Sequence, residues 1–280
     1  MHPETTIRPH SHFSFGWKEL WHYRELLYFF TWKEIKVRYK QAFLGVTWTL
    51  LQPVSMMLVF VLVLSKGLNI PTGTIPAPLY YLAGLLVWNL FNHAVTNASQ
   101  SMVANASIIK KIYFPRLVIP ISSVLTATFD YLISCAAFLV ILVYYKVSGA
   151  YSAPFWKVIL ALGWAWLITV LIAFSIGTLL SAINVKYRDV RYVLPFLIQS
   201  IFFITPIMYD SSMFRHSWAS GLLQLNPLSH AISGLRVSLG QEVSFADPVH
   251  SFYLLGNLIV LYLIAIFVFR RTESYFADIV

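Results

Sequence analysis

Stretches long enough to cross a lipid bilayer and almost free of charge recur along the chain, and they limit its fold more than any other feature. Crossing about 30 Å of hydrocarbon takes about 20 apolar residues at a rise of about 1.5 Å. Ala42–Leu64, Ala77–Val95, Leu117–Tyr145, Val158–Ile183, Tyr192–Met208 and Phe252–Phe269 qualify, and Asp130 alone interrupts one of them. A Pro/Gly-rich break, Asn69-Ile70-Pro71-Thr72-Gly73, parts the first two as a loop. Charged residues make up 11% of the 280, against about 25% in a soluble domain. No water-facing surface can be built around that much apolar content. The chain therefore reads as an all-α integral membrane protein with six transmembrane helices and both termini on one side.

The cations give the direction. With the N-terminus inside, the inner segments hold Arg8, Lys18, Arg24, Lys33, Lys36, Arg38 and Lys40, then Lys110, Lys111 and Arg116, then Lys186, Arg188 and Arg191, and finally Arg270 and Arg271. Lys66, Lys146, Lys157, Arg215 and Arg236 fall outside. This bias follows the positive-inside rule. Both termini are expected in the cytoplasm and the chain in the plasma membrane. Topology accounts for the net charge of +9, so no nucleic-acid partner is needed.

Residues 1–41 form an inner tail without the plan of a secretory signal. In it Trp17, Leu20, Trp21 and Leu27 fall at helical spacing, as do Trp32, Ile35 and Tyr39, with Lys33, Lys36 and Lys40 on the neighbouring face. This pattern predicts amphipathic helices in the membrane interface, rings toward lipid and ammonium groups toward phosphate. Either an anchor or a gate would satisfy it. Residues 270–280 form the inner C-terminal tail.

Catalytic groupings are sparse. Asp130 is the one carboxylate inside a span, so no acid–base pair is available there. With no cation in any span, a hydrogen bond to a Ser or Thr is favoured for it over a relay. His10, His12, His93, His230 and His250 are scattered and Cys135 is the only cysteine, so neither a metal site nor a disulfide is expected. No G-x-x-x-x-G-K-[ST] loop is present. No bound cofactor is expected, and any energy-driven work would draw its energy from another chain.

Three segments are more specific. The first is Arg38-Tyr39-Lys40-Gln41-Ala42-Phe43-Leu44-Gly45 and on through Trp48 to Leu51-Gln52-Pro53. The second is Asn105-Ala106-Ser107-Ile108-Ile109-Lys110-Lys111-Ile112-Tyr113-Phe114-Pro115-Arg116. The third runs Lys186-Tyr187-Arg188-Asp189-Val190-Arg191-Tyr192, Pro195, Thr205-Pro206-Ile207-Met208-Tyr209, then Asn226-Pro227-Leu228-Ser229-His230 and Arg236. Together, over roughly residues 30–270, they resemble the polysaccharide-export branch of the ABC transporter permeases, which move O-antigen, capsule or teichoic-acid chains.

The resemblance implies two copies of this subunit joined to two copies of a separate ATPase, carrying a lipid-linked polysaccharide. It implies a coupling helix over about 104–114, where Ile108, Ile109, Ile112 and Tyr113 offer an apolar patch between Lys110 and Lys111 and Pro115 stops the helix. It implies short re-entrant helices within Asp210–Val249, gating the outer opening near Pro227, His230 and Arg236. Arg38 and Lys40 would meet the lipid pyrophosphate. Helical spacing puts Gln41, Gly45, Trp48, Gln52 and Ser55 on one face of the first span, and Phe196, Gln199, Ser200 and Phe203 on one face of the fifth. Such stripes suit either ordinary helix packing or a sliding glycan; with the resemblance they are expected to line the conduit. A permease for another bulky amphiphile is the nearest alternative. A glycosyl- or acyltransferase lacks its carboxylates here, and a passive channel would have no use for an ATPase.

Overall fold

The computed structural model describes residues 17–40, 45–151, 153–187, 189–214, 218–241 and 248–273. Arg8, His10, His12, Gln41, Arg188, Arg215 and the tail after residue 273 lie outside the described residues, as does the side chain of His250. In chain order the helices are α1 (Trp17–His22), α2 (Arg24–Lys40), α3 (Thr47–Phe60), α4 (Ala77–Ala104), α5 (Ala106–Ile109), α6 (Val118–Val147), α7 (Phe155–Lys186), α8 (Val190–Ile204), α9 (Ala219–Leu225), α10 (Pro227–Ser238) and α11 (Pro248–Glu273). Wider π winding carries α3 on through Val61–Gly67. No strand occurs among the described residues.

Among the described residues, four helical stretches are long and apolar enough to cross a membrane: Thr47–Gly67, Val118–Val147, Phe155–Lys186 and Tyr253–Glu273. The second expected span falls in α4 and the fifth in α8. α8 is apolar but has only 15 residues. α4 has 28 residues, and asparagine, serine and glutamine dilute its apolar content. It does not need a lipid-facing surface, because it is the centre of the bundle. α6 and α7 pack along it, α3, α8 and α10 complete the surround, and most of its side chains from Leu79 to Met102 are buried.

Small residues let α4 and α7 approach closely. Ala94 and Ala98 face Gly177, and a Cβ added at Gly177 would sit 2.7 Å from the Ala98 Cβ. Asn184 Nδ2 then donates to the Ser99 carbonyl at 2.9 Å. Polar groups buried between helices in this way act as glue, and small residues open the space for it. Gly177→Ala should therefore cost about 1–3 kcal/mol by overpacking, and Ala98→Gly in the same chain should recover part of the loss. Thermal melts of the purified subunit measure both. An unshifted Gly177→Ala melt would mean that the two helices are not in contact there.

The amphipathic N-terminal region does not lie apart from the bundle. α2 runs along α6, burying Phe30 against Phe114 at a ring distance of 5.8 Å. Trp21, Tyr28, Phe29 and Trp32 remain exposed on its other side, with Lys36 over the Trp32 ring at 5.6 Å. The expected lipid-facing stripe is corrected: Trp21 and Trp32 are exposed, but Leu20 is buried, Leu27 packs against the core and Tyr39 bonds to Asp130, because that side of the region rests on the bundle.

Candidate functional site

The inner loop departs most from its expected form. The regular helix there is only Ala106–Ile109, because Lys110 to Phe114 leave helical winding ahead of Pro115. The expected apolar patch is split in two. Ile109 is 6% exposed and Ile108 packs against the core, whereas Ile112 is 58% exposed and Tyr113 stands out beside it. Lys110 and Lys111 are exposed, and the turn surrounds a cavity of about 310 Å³ reaching from Ile109 to Arg116. Arg116 donates from Nη1 to the Glu273 carbonyl, which ties this loop to the end of α11.

Asp130 has the cation that no span supplies. Arg38 Nη1 on α2 pairs with Asp130 Oδ2, and Tyr39 Oη donates to Oδ1. The Thr49 hydroxyl lies 3.0 Å from Tyr39 Oη, and His93 Nδ1 is 3.7 Å from the same carboxylate. One turn earlier on α2, Glu34 accepts from Ser123 and Thr126, both at 3.2 Å. Burial pushes the Glu34 carboxyl up, against the pull of the Thr126 and Ser123 hydroxyls. The polar residues of α2 at 34 and 38 thus match those of α6 at 123, 126 and 130, four residues or one turn apart on each helix. The sequence expectation of a lone Ser or Thr partner for Asp130 is corrected. Arg38, expected to face a lipid pyrophosphate, is committed to Asp130, while Lys40 remains exposed.

Asp130 also has a defined level in the bundle. It lies level with Thr49 at the start of α3, and from each of these residues about 25 Å of helix remains, to Val147 and to Gly67. That remainder is close to the hydrocarbon thickness. The first dozen residues of α6 extend beyond it and carry the hydroxyls that bind Glu34.

A groove of about 730 Å³ opens between α3, α4 and α8. Trp48, Gln52 and Ser55 line it from α3, and Gln199 from α8. Phe196 and Phe203 do not line it. Phe196 is two residues from Ile198, which lines the groove, and 200° of helical rotation sends it to the opposite, exposed face. Phe203 is exposed beside it, at the edge of the same outer face. The third wall was missed from the sequence: Asn89, Asn92, Thr96 and Gln100 project from α4 into the groove. Their spacing of three, four and four residues was the available signal.

At the opposite end of the bundle from Asp130, the three expected gate residues are parts of a joint. Pro227 opens α10, capped by Asn226, whose Oδ1 accepts from the Leu228 amide at 3.0 Å and whose Nδ2 donates to Thr205 Oγ1 at 2.9 Å. His230 Nε2 donates to the Gln224 carbonyl at 2.8 Å, closing α9 against α10. Arg236 is 2% exposed. It donates to the carbonyls of Pro206 at 2.8 Å and Ile207 at 2.7 Å and lies 3.6 Å from the centre of the Tyr80 ring. Its partners hold the segment after α8 down on α4, where Gly84 makes room. A Cβ there would meet Ile207 at 3.1 Å and Arg236 Nη2 at 3.3 Å.

Residues 25–239, from the start of α2 to the end of this joint, match the ABC-2 type transporter family. The chain belongs to that family. Relatives of this ABC-2 chain are membrane permease subunits. The O-antigen export system permease protein RfbA of Klebsiella pneumoniae is 30% identical over 259 residues, covering 91% of this chain and 95% of that protein. Its namesake in Myxococcus xanthus is 30% identical over 261 residues, covering 91% and 96%. The polysialic acid transport protein KpsM of Escherichia coli is 24% identical over 203 residues, covering 71% and 75%. The ABC-2 match takes in α2 as well as the apolar helices, in keeping with the packing of α2 against α6.

Proposed function

We propose that this chain is the permease subunit of an ATP-driven exporter of a lipid-linked polysaccharide, of the O-antigen or capsule type, in the bacterial inner membrane. The observation that carries this is the groove, a long cleft with amides on all three walls, most of them on α4, and the rings of Trp48, Trp88 and Phe202 among them. Sugar hydroxyls hydrogen-bond to amides, and sugar C–H faces rest on rings. Relatives named for O-antigen export cover nearly the whole chain. Two copies would face each other through the exposed α3 and α8 surfaces, which carry Leu51, Leu58, Val193 and Phe196. Phe196 and Phe203 would then contact the second copy or lipid. Both termini would be cytoplasmic, with six crossings made up by α4 and α8.

In the proposed cycle the acidic lipid head meets Lys40 and the cationic outer face of α2. The glycan follows into the groove, and two ATPase subunits, which hold the ATP and Mg, move it outward in steps. α9 and α10 would enter the outer leaflet and frame the exit, held by Pro227, His230 and Arg236. Deleting the gene should abolish surface polymer and trap it inside the cell, with restoration by the intact gene; unchanged surface polymer would end this reading.

The ATPase would dock on the exposed part of the inner loop. Ile112→Asp with Tyr113→Asp should leave folded subunit in normal amount and abolish co-purification of the ATPase, because a carboxylate cannot enter an apolar cleft unpaired. Ile109→Asp, by contrast, should lower the folded amount itself, since Ile109 belongs to the core. Full complex formation by the Ile112/Tyr113 variant would place the docking surface elsewhere.

A further inference from the structure

We infer that the inner half of the groove is a binding subsite for an uncharged, polyhydroxylated chain, with the α4 amides as its hydrogen-bonding wall. The inference rests on the groove being the glycan path and goes further by naming the class of polymer.

Asn89, Asn92, Thr96 and Gln100 form one stripe about 16 Å long on α4. Among the described residues, the side-chain hydrogen bond recorded within the stripe runs from Thr96 Oγ1 to Asn92 Oδ1 at 3.2 Å. The amide nitrogens of Asn89, Asn92 and Gln100 donate to no protein group there. Amides used for packing in this bundle behave differently. Asn184 Nδ2 donates to the Ser99 carbonyl and Asn105 Nδ2 to the Ser101 carbonyl, both at 2.9 Å. The groove amides therefore have donors to offer a ligand, in a sheltered cleft where hydrogen bonds discriminate well.

Charge narrows the ligand. Among the described residues that line the groove there is no Asp, Glu, Lys, Arg or His. A polymer with an anion on every repeat would give up hydration without meeting a countercharge. A neutral chain exchanges water for amides at little cost. The position along the groove follows from helix direction. The stripe and Trp48 occupy the inner part, and the outer part is apolar and narrowed by Phe202, 5.0 Å from the Trp88 ring and 6.4 Å from the Phe60 ring. The subsite thus lies ahead of the aromatic narrowing for a chain moving outward.

The test uses the native cell. The polymer missing from the surface of the deletion strain should have a repeat without uronic acid, sialic acid or phosphate. A chromosomal Asn89→Leu/Asn92→Leu replacement, which keeps the number and branching of the side-chain heavy atoms, should lower export per folded, ATPase-bound complex about tenfold, the effect of losing two hydrogen-bonding groups. ATP hydrolysis by the purified complex should persist. An acidic repeat overturns the inference. So does a variant that exports normally per complex, or one whose export falls only in proportion to the amount of complex, as packing residues would. Each of these leaves the export reading intact, because the deletion has already removed the polymer. Unchanged polymer in the deletion strain defeats both.

Discussion

Arg38→Met should lower the stability of the folded subunit by about 3–5 kcal/mol, the usual cost of leaving a buried charge without its partner. The two sides of the pair are unequal. The Asp130 side chain is 7% exposed and the Arg38 side chain 33%. Removing Arg38 strands a buried carboxylate with the Tyr39 hydroxyl and His93, whereas Asp130→Leu frees an arginine that can turn toward water. The second variant should therefore lose less, and the double variant Arg38→Met/Asp130→Leu should recover most of what Arg38→Met loses. Melting of the detergent-purified subunit and the yield of monodisperse protein give both values. A double variant no better than Arg38→Met would show that α2 is held to α6 by something else.

A loss of similar size, about 3–5 kcal/mol, is expected from Arg236→Leu, which leaves the buried Pro206 and Ile207 carbonyls unpaired and removes the cation from the Tyr80 ring. Arg236→Lys is the sharper experiment. Nη1 bonds to Pro206 and Nη2 to Ile207. A single ammonium lacks the planar fork that reaches both, so the lysine variant should also unfold early although it keeps the charge. Wild-type melting of Arg236→Lys would mean that charge alone fastens the joint. The Asn226→Ala cap variant, losing about 1 kcal/mol, scales the effect.

The apolar helices were legible because hydrocarbon imposes a length and forbids charge, and each constraint can be read one segment at a time. What depends on two segments meeting was not. Hydropathy placed Asp130 near the middle of its stretch because it could not know that α6 extends well inside the level where α3 begins. No property of Arg38 alone says that it pairs with a residue 92 positions away. On α8, a stripe drawn from residue types picked Phe196 and Phe203, whereas the face toward α4 is the one holding Leu194, Ile198 and Phe202. The α4 stripe was legible by period and was overlooked because its helix was treated as an ordinary span. Ile108 and Ile109 were grouped with Ile112 and Tyr113 on the assumption of one helix, which ends before reaching them.

The position of α4 at the centre has a consequence for how the protein is made. The buried face of α4 and its Ser99 carbonyl find their partners on α7, through Asn184 and the close approach at Gly177, yet α7 is synthesised some fifty residues after α4 ends. While the ribosome is still producing α6, α4 lacks the helix it packs against, and its asparagines, serines and glutamine leave it too little apolar surface to rest comfortably in lipid. The order of synthesis and the order of assembly therefore cannot be the same. The nascent α4 must be sheltered, by the insertion machinery or at the membrane surface, until the hairpin of α6 and α7 is complete and can close around it.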